Sequence, residues 1–306
     1  VAFDGGYRSE DAGKSWTKIM DGDVRTFTVD PHDERVVYMG MGPIRLFRSE
    51  DGAKRWEPLD TMLEFDEAVK KKWDVPPRLR GVEWPHVRHI FIHPEDEDLI
   101  WVLLEHGGNL LSRDRGKTWA DRSNGIDYVH MHYIENYPGS KESYYVSSAR
   151  GFYRTDDAGK HWRRTETGMP WAYTELHSYS HEWHFMPGET PRMVVCGGKG
   201  SPGVWMRERI TPGGHILISD DGGENWRIVT EGLQKENPWM AWVLLRHPTD
   251  LNALFCGMGD GARGYGFDAR IEGKGAFYMS ADRGESWTPV ISDTASILTA
   301  WVAPNG

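Results

Sequence analysis

Thirteen histidines occur in this 306-residue chain, and several sit where a metal ion could use them. Three open alternating apolar stretches in the same way: Pro85-His86-Val87, Val129-His130-Met131 and Leu176-His177-Ser178. Three neutral imidazoles with an open position suit a divalent transition metal such as zinc, iron or copper. His106, His132 and His181 fall near the same positions and could complete or orient the ligand set. Glu105 and Glu182 stand directly beside two of these histidines, so each is a candidate general base. Tyr179, on the same side of its strand as His181, joins them as a candidate catalytic group. A metal so held would polarise a substrate or activate water or dioxygen. The competing reading is a set of polar residues bonded to water and carbonyls. His181-Glu182-Trp183-His184 resembles the zinc-peptidase motif HExxH, but it is one residue short and lies on a predicted strand. The helix that motif requires is missing.

What must position these residues is a repeat. Ser219-Asp220-Asp221-Gly222-Gly223-Glu224-Asn225-Trp226 has close copies at Ser9–Trp16, Ser49–Trp56, Ser112–Trp119, Thr155–Trp162 and Ser280–Trp287. The shared grammar is Ser/Thr-x-Asp-x-Gly-x-x-Trp. The Asp can accept backbone N–H bonds across a tight turn, the Gly supplies positive φ, and the Trp packs the returning strand. One copy, Ser49-Glu50-Asp51-Gly52-Ala53, carries its glycine one place early. Six copies at intervals of about 40 to 65 residues are the signature of a repeat architecture.

This grammar and spacing resemble the Asp-box, or bacterial neuraminidase repeat, family of β-propellers, over nearly the whole chain. The resemblance implies an all-β, six-bladed β-propeller of four-stranded antiparallel blades, with each box a structural turn between third and fourth strands. The six boxes are then scaffold, and the chemistry lies elsewhere. One domain, 1–306, is the economical reading. The chain begins in mid-blade, and Ile297–Val302 is expected to supply the missing innermost strand, closing the ring and removing exposed edges.

Blades are expected at Val24–Asp60, Val87–Arg122, Val129–Glu166, His177–Glu231 and Trp242–Ile291. Insertions interrupt this plan at 61–85, 197–214 and 257–273. The first carries apolar residues at 62, 63, 65, 69 and 73, which predicts a short amphipathic helix over Met62–Trp73. Strand alternation puts the boxes on one face, and all three insertions on the other, with the histidines at the starts of inner strands. Arg25 and Arg88 lie near the same mouth, and period-2 alternation predicts that Arg88 shares a side with His86. The long loops add Trp205, Arg207, Arg209, Arg263 and Tyr265, which would suit a small anionic or aromatic substrate. Surface salt bridging explains any one of these arginines equally well.

A formal charge of −10 argues against nucleic-acid or anionic-membrane partners. No apolar run reaches the roughly 18 residues of a membrane-spanning helix. The expectation is a soluble protein, cytoplasmic or secreted, since Val1 in place of a methionine leaves room for a removed signal peptide. Cys196 and Cys256 end equivalent strands and are expected to be buried thiols rather than a disulfide. Two rival functions stand beside the metal-dependent enzyme. One is sialidase-like glycoside hydrolysis, which the resemblance implies but for which a third arginine and an assignable acidic pair are lacking. The other is a non-catalytic propeller that binds a protein partner.

Overall fold

The structure is a computed structural model that describes residues 4–73, 84–188, 191–233, 239–260, 274–295 and 297. It is all-β, and the described residues form six antiparallel sheets that follow one another along the chain. Five have four strands in sequence order, and the first has two, Gly5–Arg8 and Thr17–Asp21. The first strands of the five are Asp23–Asp30, His86–His93, Met131–Asn136, Ser178–Met186 and Met240–Arg246. Such sheets are consistent with the β-propeller superfold. The closing strand expected at 297–302 falls outside the described residues after Ile297, as do Arg263 and Tyr265.

Two compact units divide the chain: Val1–Val146 with Thr155–Arg163, and Ser147–Arg154 with Arg164–Gly306. In the first, Val87, Ile90 and Ile92 pack with Ile100, Val102, Leu104 and Leu110 into one apolar cluster. Trp101 projects from the opposite face of its strand, with its ring 4.9 Å from Tyr144 and 6.0 Å from Trp162. A strand apolar on both faces, Asp96–Glu105, is buried from Leu99 onward and carries Glu105 into that interior. The second unit has its own cluster, which includes Val194, Cys196, Ile216, Leu244, Cys256 and Trp287. Both cysteines are free and buried. Burial pushes both thiols up, with Cys256 and Glu182 adding to the shift at Cys196 and Glu182 at Cys256, so both stay protonated and unreactive.

All six boxes fold alike. In each, the Asp Oδ1 accepts the Ser or Thr hydroxyl and a backbone N–H four residues on, while the hydroxyl oxygen accepts a second backbone N–H. Two consecutive residues after the Asp are left-handed in every copy. The early glycine of the second box therefore shifts nothing: Gly52 and Ala53 have φ of 72° and 63°, matching Ala12 and Gly13 at 56° and 84°.

A link between repeats goes unmarked by the box itself. The N–H of Trp162 donates to Asn124 O, that of Trp226 to Thr167 O, and that of Trp287 to Glu231 O. Each acceptor precedes a left-handed glycine, Gly125, Gly168 or Gly232, lying directly under the Trp backbone.

The insertions differ from expectation. In place of one helix over Met62–Trp73 there are a 3-10 turn, Asp60–Leu63, and a single α-turn, Glu67–Lys70. Asp66 accepts the Val69 N–H and starts the second turn afresh, which divides the segment. The segment 197–214 is not all loop: its sheet strand runs to Lys199, and Pro202–Glu208 is an α-helix with Pro at its start and left-handed Arg209 (φ 53°) at its end.

Candidate metal centre

Glu105 is the last residue of its strand and pairs in register with His86, the first residue of the neighbouring one. That pairing brings the Glu105 Oε2 to 3.1 Å from His86 Nε2. Its Oε1 lies 3.0 Å from Nε2 of His130, which immediately precedes the strand Met131–Asn136. Glu105 and His86 are buried, and His130 is largely so. Burial alone would raise the Glu105 carboxyl, but His86 and then His130 outweigh it and hold it well below the usual carboxylate range.

The hydrogen bonds decide which nitrogens carry protons. His86 Nδ1 lies 3.0 Å from Trp84 O, a carbonyl that can only accept, so Nδ1 is a donor. In a neutral ring Nε2 would then aim a lone pair at a carboxylate. Either a proton or a metal cation must resolve that conflict.

His106 is brought to the same place by a strained turn. Its φ is 65°, and the N–H groups of Gly107 and Gly108 donate to Val129 O at 2.8 and 3.2 Å, so the turn is tied to the residue before His130. The two rings stand 4.4 Å apart, with His132 5.1 Å and Tyr128 6.0 Å from His130. One ligand atom each from Glu105, His106 and His130 lie within 4.8 Å of one another. Two imidazoles and a carboxylate are a donor set that zinc and non-haem iron accept.

Arg88 Nε lies 3.6 Å from Glu105 Oε2, but not by simple alternation. The pairing jumps from Val87–Leu104 to His89–Leu103, leaving Arg88 as the extra residue of a β-bulge. Arg25 is the extra residue of the same irregularity in its strand and pairs with Asp23 at 2.6 Å. Trp84, which sequence patterning did not single out, anchors the edge of the site: its indole N–H donates to Asp23 at 2.8 Å.

The remaining candidates belong to the second unit. His177 has φ 58° and precedes its strand; burial lowers its pKa, as do Arg150 and Arg164, cations that also disfavour a metal ion there. His181 Nδ1 is 2.6 Å from Trp242 O, and its ring lies nearly parallel to Tyr179 at 6.1 Å. Glu182 accepts the Leu244 N–H at 2.9 Å, while His184 Nε2 meets Leu244 O. Both strands are irregular here, and these side chains bond backbone groups across the gap. Trp205 is buried in its helix, donates to Lys199 O and lies 5.9 Å from Trp242. Arg207 pairs with Glu208 at 2.7 Å on the surface, and Arg209 is exposed.

His215 is a buried histidine for which the repeat pattern offered no signal. Its Nδ1 lies 3.2 Å from Gly213 O, and its Nε2 has no partner among the described residues. Burial lowers its pKa to about 4, only partly offset by the Gly213 carbonyl. The unfolded chain thus binds more protons than the folded one between about pH 4 and 6.5. Stability is fully present above that window and is lost as pH falls through it, by roughly 3 kcal/mol at its foot. Urea unfolding at pH 7.5 and 4.5 checks this: His215→Gln should lose less stability between the two than the wild type.

No family model matches this chain, and no curated protein does. Solved structures do. It is similar to a GH74 enzyme from Niastella koreensis (TM-score 0.66, 14% identity, 95% of this chain and 42% of that one). A GH74 xyloglucanase from Xanthomonas campestris gives a TM-score of 0.63 at 17% identity, over 95% and 43%. YCF48 bound to a D1 peptide gives 0.53 at 16%, over 93% and 75%. At these identities the likeness shows the fold alone, and the chain spans less than half the length of the two GH74 enzymes. Among the described residues, no helix is long and apolar enough to cross a membrane.

Proposed function

We propose that this chain is a metal-dependent enzyme whose centre is built on Glu105, His106 and His130. The convergence of those three ligand atoms carries the reading. Bonds of about 2.1 Å in tetrahedral geometry put ligand atoms about 3.4 Å apart, so atoms that lie within 4.8 Å of one another close on an ion with side-chain movements of about 1 Å. His86, fixed by the Trp84 carbonyl, would orient the carboxylate, and His132 would support His130. The substrate in this reading is a small anionic or aromatic molecule, and Arg25 and Arg88, paired with Asp23 and Glu105, brace the edge of the centre. When bound, the metal would supply Lewis acidity toward a substrate oxygen or water.

The scaffold in this reading is a closed six-bladed Asp-box propeller. Packing of Ile297 on Gly257 supports it, because Val87 meets Gly40 in the same way where one sheet follows another. Glycoside hydrolysis is the second reading, favoured by the GH74 neighbours, and a peptide-binding module is the third, favoured by the YCF48 complex. Loading with zinc, ferrous iron or copper, desalting and elemental analysis separate the first reading from the others. Wild type should retain about one equivalent of one metal, and His106→Ala or His130→Ala should bind it more weakly by about 100-fold or more, beyond the roughly 10- to 100-fold typical of residues that only orient a ligand. Failure to retain any of the three metals would overturn the proposal.

A further inference from the structure

His106 is left-handed without being glycine (φ 65°), and Gly108 two residues on has φ 93°. A non-glycine residue stays in that region only where its surroundings hold it there. The bonds from the Gly107 and Gly108 N–H groups to Val129 O fix one side of this turn. The other side is covered by the end of the segment Asp60–Trp73, whose start is anchored by the Thr61 hydroxyl on Gly116 O at 3.1 Å.

Two contacts make the cover. After the α-turn Glu67–Lys70, the Lys72 N–H donates to Val69 O and the Trp73 N–H to Lys70 O, both at 2.9 Å, which delivers Trp73 to the turn. A Cβ on Gly107 would lie 3.1 Å from Trp73 Cδ1 and 2.7 Å from Leu104, so the indole sits on the residue directly after His106. Phe65 steadies that indole edge-on, with ring centroids 5.9 Å apart, and Trp73 packs on the cluster that contains Leu104 and Leu110. Lys72 makes the second contact, an ion pair with Asp121. Asp121 accepts the Ser123 N–H at 3.1 Å, and Ser123 Oγ accepts the Asn109 N–H at 2.9 Å, just beyond Gly108. A Cβ on Gly108 would collide with the same Ser123 hydroxyl. The segment therefore bears on the His106 turn at both Gly107 and Asn109.

We propose that Trp73 is a positioning residue for the metal ligand His106, with Lys72 supporting the same turn through Asp121 and Ser123. The inference rests on the metal reading of Glu105, His106 and His130. Neither side chain touches the ion. The indole keeps Gly107 in place, and with it the left-handed His106 backbone that points the ring toward His130. Without it, the turn relaxes and the ring leaves the ligand set.

Cobalt(II) loading of the whole chain is the experiment, because this ion takes the donors that suit zinc and ferrous iron and reports its geometry in visible absorption. Affinity is read by competition with a chelator. Trp73→Ala should bind cobalt about tenfold or more weakly and shift its absorption bands, as supports of a ligand do. Trp73→Phe, which keeps a ring against Gly107, should bind within about threefold of wild type. Lys72→Met, at an exposed position, should shift the bands in the same direction with its thermal midpoint unchanged. A side chain serving stability alone would lower the midpoint and leave affinity and spectrum as they were. Wild-type affinity and spectrum in Lys72→Met and in any folded Trp73→Ala protein would overturn the role and leave the centre standing. A wild type that takes up no cobalt removes the centre itself, and this role with it.

Discussion

Glu105→Gln should abolish metal retention, lowering affinity by roughly 100-fold, and should destabilise the metal-free protein by about 3 kcal/mol. The amide keeps the shape and removes the charge. Two imidazole nitrogens at 3.0 and 3.1 Å then face a neutral amide in place of the anion. Arg88, 3.6 Å away, loses it too. The pH dependence has a definite sign. Because His86 and His130 hold the carboxyl well below its ordinary value, its contribution is present above the ordinary carboxylate range and disappears as pH falls through the depressed value. The variant should therefore show a flatter loss of stability in acid than the wild type. Denaturant unfolding across that range, alongside metal analysis, checks both effects.

Gly232→Ala should cost about 4 kcal/mol, more than positive φ alone explains. Gly232 has φ 75°, and a Cβ there would lie 1.7 Å from the Trp287 carbonyl oxygen. Moving that carbonyl disturbs the bond from the Trp287 N–H to Glu231 O and the packing of a tryptophan that is 2% exposed. Gly52 makes the control. It has φ 72°, nothing lies within 4 Å of its Cβ position, and Gly52→Ala should cost only about 1 kcal/mol. Equal losses from the two substitutions would show that backbone strain, rather than the clamp between repeats, sets the cost.

Much of the scaffold was legible because its turns are local. The Asp of each box bonds within four residues of itself, so composition and spacing alone imply the turn. The glycines beneath Trp162, Trp226 and Trp287 escaped notice because each partner lies on the next repeat, tens of residues away. Glu105 beside His106 was readable because the two are neighbours in sequence, whereas its place against His86 follows from the register of the paired strand ends. Arg88 was not readable in its true register, since nothing in the residue types announces a bulge. His106 reaches His130 through a left-handed turn tied to Val129 O, which alternation cannot express. The helix proposed over Met62–Trp73 failed for a simpler reason: Asp66 caps a new turn in mid-segment. His177 matches His86 and His130 in sequence position, yet its neighbours are Arg150 and Arg164 rather than a carboxylate.

Anomalous X-ray scattering from metal-loaded crystals, recorded on either side of the edge of the retained metal, addresses the central claim directly. A single peak about 2.1 Å from a Glu105 oxygen and from ring nitrogens of His106 and His130 is the result expected of a metal centre. A crystal grown in excess metal with no peak there, and with Glu105 still bridging His86 and His130 directly, would make the cluster a proton-bound ion pair and end the metalloenzyme reading.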